Sequence, residues 1–65
     1  MKHYTVTPNK DATTWFVKIE DVAPTEEYDK YDKAINAAVQ IAEENSPSKL
    51  SILDKYHEVV ETRTF

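Results

Sequence analysis

Hydrophobic and polar positions change period twice along the chain, from alternation to a helical repeat and back. At the start, Tyr4 and Val6 are separated by Thr5 and flanked by His3 and Thr7, the alternation of a half-buried strand, with Tyr4 and Val6 facing inward. Pro8-Asn9-Lys10-Asp11 supplies turn chemistry, so a hairpin is expected. The next run, Thr13 to Glu20, is rich in β-branched and aromatic residues and sets Trp15, Val17 and Ile19 on one face. Phe16 and Lys18 point the other way. Asp21 to Glu27 contains Pro24 and little apolar content and reads as a loop, with a short edge strand near Glu26 to Tyr28.

Tyr31, Ala34, Ile35, Ala38, Ile41 and Ala42 then recur at spacings of three and four, the signature of an amphipathic helix. Lys33, Asn36, Gln40, Glu43 and Glu44 form its polar side, Asp29 is the expected N-cap, and Asp32 complements the helix dipole. Ser46 before Pro47 ends the helix. The alanines Ala34, Ala38 and Ala42 allow close approach to a sheet. From Leu50 to Phe65 the pattern returns to strands, and a second hairpin is expected around Asp54 to His57. The chain has no glycine, so Asp54 or His57 must take up the left-handed conformation that such a turn requires.

These elements predict an α+β fold in ββαββ order, with one amphipathic helix on one face of a mainly antiparallel sheet of three to four strands. The chain is read as a single domain over residues 1–65. Its size is near the lower limit for a self-sufficient core, which raises the expectation of self-association. Absence of cysteine removes disulfides and thiolate metal sites. The first residues carry no apolar run resembling a signal peptide, and no segment is long and apolar enough to span a membrane. A small soluble protein in the cytoplasm is therefore expected.

Asp and Glu outnumber Lys and Arg by 12 to 8, for a formal charge of −4, and much of the excess lies between Glu20 and Asp32. That stretch repels phosphate backbones and disfavours nucleic acid as a partner. It also lacks the alternating ligands and central glycine of a calcium loop. His3 and His57 are the only histidines and share no ligand spacing. Ser46, Ser48 and Ser51 sit in no nucleophile elbow, and the adjacent pairs Glu26-Glu27 and Glu43-Glu44 read as solvated charge.

The order of motifs resembles a bacterial domain-of-unknown-function family, number two-one-eight-eight. Trp15-Phe16-Val17 matches its Trp-x-Val strand; Ala34-Ile35-Asn36-Ala37-Ala38 and Ile41-Ala42 match its helix; Leu50 through Phe65 match the length of its closing strands. Asp29 and Lys30 stand where the family has a Thr before the helix, His57 replaces the turn glycine, and Leu53 occupies the place of a family histidine. The resemblance implies the fold and brings no activity with it.

No nucleophile, base and stabiliser can be assembled, so no enzyme, cofactor or metal site is expected. The favoured function is an interaction or regulatory module that binds a protein partner or a second copy of itself through the open sheet face or an edge strand. Phe16, Lys18, Leu53 and Phe65 are the expected contact surface. The alternative is weak nucleic-acid binding through Phe16, Lys18, Lys55 and Arg63.

Overall fold

A computed structural model describes residues 1–19 and 26–65. Most of the loop expected at Asp21 to Glu27, and Glu20 and Asp21 of the acidic stretch, lie outside the described residues. The elements are β1 (Lys2–Pro8), β2 (Trp15–Ile19), β3 (Glu26–Tyr28), α1 (Tyr31–Glu44), β4 (Ser48–Leu53) and β5 (Val59–Thr64). All five strands form one sheet in the order β3-β2-β1-β4-β5. The fold is α+β with a single helix, as its sequence predicts.

The sheet is larger and differently paired than the expected three to four mainly antiparallel strands. Three pairings are antiparallel, but the central one, β1 with β4, is parallel, with Tyr4 beside Leu50 and Val6 beside Ile52. The reason is a parity. Successive elements here run in alternating directions, so each one inserted between β1 and β4 reverses the direction of β4. With β3 counted as a full strand, β2, β3 and α1 intervene, and β4 returns parallel to β1.

The core lies between α1 and one sheet face. Tyr4, Val6, Val17, Leu50 and Ile52 from the strands and Ala34, Ala38 and Ala42 from the helix are all buried. Pairing of Tyr4 with Ile19, Val6 with Val17 and Pro8 with Trp15 keeps the inward positions of β1 and β2 in line. Each large aliphatic side chain buried this way contributes about 1.5–3 kcal/mol, and the alanine stripe brings the helix close enough to exclude water. Trp15, Ile19, Tyr28, Tyr31, Ile35, Val39, Ile41 and Phe65 close the margins. Trp15 and Tyr31 meet with ring centroids 4.1 Å apart.

Helix termination follows local chemistry. Lys30, not Asp29, is the N-cap residue, and no side chain caps it. Asp29 lies one position too early, and its carboxylate pairs with Lys33 at 3.4 Å. At the other end Asn45 Nδ2 donates to the Ile41 carbonyl at 2.8 Å, and the buried Ser48 hydroxyl donates to the Ala42 carbonyl at 2.6 Å. Ser48 thereby ties the start of β4 to the last turn of the helix. The Ser46–Pro47 peptide is cis.

Candidate interaction surface

Strand register arranges the sheet face away from α1 into rows. One row runs from Glu27 through Phe16 to Thr7, and Leu53 and Val59 continue it on the far side of β1, since Leu53 follows the Val6–Ile52 pair. The next contains Lys18, Thr5, Ser51 and Thr62, and the third His3, Lys49 and Thr64. His3 Nε2 and Ser51 Oγ are hydrogen-bonded at 2.9 Å, which satisfies the one buried hydroxyl of this face. Phe16 and Leu53 are half-buried and stand at one end, while Lys18 and Lys49 are exposed. The face is therefore a polar, hydroxyl-rich surface with an apolar end.

The sequence-predicted contact residues do not all share it. Phe16, Lys18 and Leu53 do. Phe65 does not: it exchanges backbone hydrogen bonds with Ser48, an inward position, and packs against the core on the helix side. By this register Phe65 lies on the opposite face of the sheet from Phe16. Residues of the nucleic-acid alternative are scattered too. Arg63 pairs with Leu50 on the helix side and is held by Glu61, with Nε to Oε2 at 2.8 Å. Lys55 lies in the distal turn, 5.2 Å from the Tyr56 ring centroid.

What the sequence reading missed is the exposure of β5. The helix backbone lies close to β1, β2, β3 and β4 but not to β5. Val59 and Val60 are 59% and 58% exposed, and Tyr56 in the preceding turn is 70% exposed. A bulge between Ile52 and Leu53 shifts the β4 to β5 register at this end and pairs Leu53 with Val59. The adjacent β-branched pair Val59-Val60 was the available signal.

The β4–β5 turn is built by Asp54. Its carboxylate accepts hydrogen bonds from the backbone N–H of Tyr56 at 2.8 Å and Glu58 at 3.1 Å. The backbone closes with Asp54 N to Glu58 O at 2.9 Å and His57 N to Asp54 O at 3.1 Å. His57 has φ 64°, the left-handed conformation expected from the lack of glycine. On the helix side of β5, the Arg63 hydrogen bond holds the Glu61 carboxyl below the usual carboxylate range and raises Arg63 in turn. Burial, with the charges of Asp54 and Glu61, raises the Tyr31 hydroxyl above its ordinary value. Among the described residues no three His, Asp or Glu side chains converge on a metal position. No described helix is long and apolar enough to cross a membrane.

Residues 4–65 match the family described as an uncharacterized protein conserved in bacteria, DUF2188. The chain belongs to DUF2188. It is 51% identical, over all of its own length and 98% of the relative's, to the uncharacterized protein YycD of Bacillus subtilis (strain 168). Neither description names an activity, so DUF2188 membership establishes the family and leaves function to be argued from the surface. No solved structure matches the chain.

Proposed function

We propose that this DUF2188 chain is a small, non-enzymatic, cytoplasmic interaction module that binds protein through its β5 edge and the adjoining apolar end of the open face. The observation that carries this reading is the exposed, six-residue β5, with Val59 and Val60 in solvent and the backbone of the one described helix away from it. An unprotected edge strand offers unpaired backbone donors and acceptors to an incoming strand, and exposed β-branched side chains add apolar area to it. The opposite edge, β3, is only three residues long and presents Glu26 and Glu27, which discourage pairing.

A non-enzymatic role is supported by the placement of the histidines. His3 lies near the start of β1, whereas His57 lies in the turn at the other end of the sheet, so the two imidazoles share no common site. Affinity capture from a bacterial lysate, comparing wild type with V60K, tests the reading. A bound protein lost with V60K is expected; the same protein retained by V60K would place binding elsewhere.

A further inference from the structure

We infer that the β5 edge pairs with the β5 edge of a second copy, antiparallel and centred on Thr62, joining two five-stranded sheets into one. The inference rests on the reading of β5 as the binding edge and names its partner. Two observations carry it: the direction of the free backbone groups and the order of charges along the strand.

Phe65 both donates to and accepts from Ser48, at 2.9 and 3.1 Å, so its backbone polar groups face β4. Because these groups alternate direction along an antiparallel strand, Arg63 and Glu61 also face β4, and the N–H and C=O of Thr64 and Thr62 face outward. A two-fold axis at Thr62 lets this residue exchange both hydrogen bonds with the partner's Thr62. Thr64 then lies opposite the partner's Val60. Sliding the strands by one residue would set outward groups against inward ones and exchange the faces.

Side chains select this register from those that remain. Centred on Thr62, the pairing places Glu61 opposite the partner's Arg63, and Arg63 opposite the partner's Glu61, on the helix side of the sheet. The pair already in contact within each strand becomes half of a network of alternating charge. Sliding by two residues one way opposes Glu61 to the partner's Glu61; sliding the other way opposes Arg63 to the partner's Arg63. Both like-charge alignments are unfavourable. The arrangement uses the same edge of both copies and therefore closes as a dimer, with the short acidic β3 edges left at its ends.

Sedimentation velocity over a concentration series, on wild type, E61R, R63E and an equimolar mixture of the two variants, tests the register directly. Circular dichroism verifies that these exposed substitutions leave the fold intact. Wild type is expected to shift from monomer toward dimer with concentration, and E61R and R63E to remain monomeric alone. Their mixture regains the dimer, because each variant supplies the charges the other has lost. A wild type that stays monomeric, variants that associate as wild type does, or a mixture that stays monomeric would each overturn the pairing. If monomeric wild type still captures a lysate protein that V60K loses, the dimer fails while the edge-binding reading stands.

Discussion

His57 and Lys30 are two residues whose local conformation is poorly served by their side chains, and Ala12, at φ 55°, shares the left-handed backbone of His57. The left-handed backbone of His57 costs about 1–2 kcal/mol for a residue with a Cβ, and glycine is free of that penalty. His57→Gly is therefore expected to stabilise the fold by about 1 kcal/mol, partly offset by the greater freedom of the unfolded chain, and an unchanged urea midpoint would refute the strain. Lys30 caps nothing, so Lys30→Ser is expected to add about 1 kcal/mol by accepting a hydrogen bond from the first helical turn, seen as a higher melting temperature. The sequence narrowed the first of these positions to Asp54 or His57, because a turn without glycine must force some residue left-handed. The second was misread: Asp29 has the right chemistry one residue too early, and composition cannot locate a boundary to that precision. Tyr31 adds a pH dependence. With its hydroxyl raised by burial and by Asp54 and Glu61, its contribution is complete below the ordinary value of 10.0 and is lost as pH rises through the higher folded value. Alkaline titration of stability should fall more steeply for wild type than for Tyr31→Phe; parallel curves would remove Tyr31 from the account.

Among the elements, α1 was the most legible, since its apolar positions repeat over four turns and its alanine stripe is buried as the spacing requires. Ala38 sits fully buried in the middle of that stripe. Ala38→Leu should destabilise by about 1–3 kcal/mol, measured by chemical denaturation, and a neutral result would mean that helix and sheet are not closely packed. β1 and β2 were legible for the same reason of period, and β3 only as a short edge. The parallel β1–β4 pair was not, because direction is set by how many elements intervene and not by any residue in either strand. Phe65 shows the same limit. Its face depends on continuing the β4 register to Ser48, a long-range fact that a terminal aromatic does not declare.

At the scale of the whole molecule, one helix about 10–12 Å across lies on a sheet whose five strands, about 4.8 Å apart, span about 19 Å. Full coverage is geometrically excluded, and β5 is the strand left bare. That shortfall connects the marginal core of a small chain to its proposed role, since joining two β5 edges gives the exposed strand a second neighbour that none of the described strands provides. The most direct measurement is backbone amide exchange by NMR as protein concentration is raised. The account predicts increasing protection at Thr62 and Thr64, whose N–H groups face outward, while Glu61 and Arg63, already bonded to β4, change little. Exchange at Thr62 that stays fast and independent of concentration would contradict it.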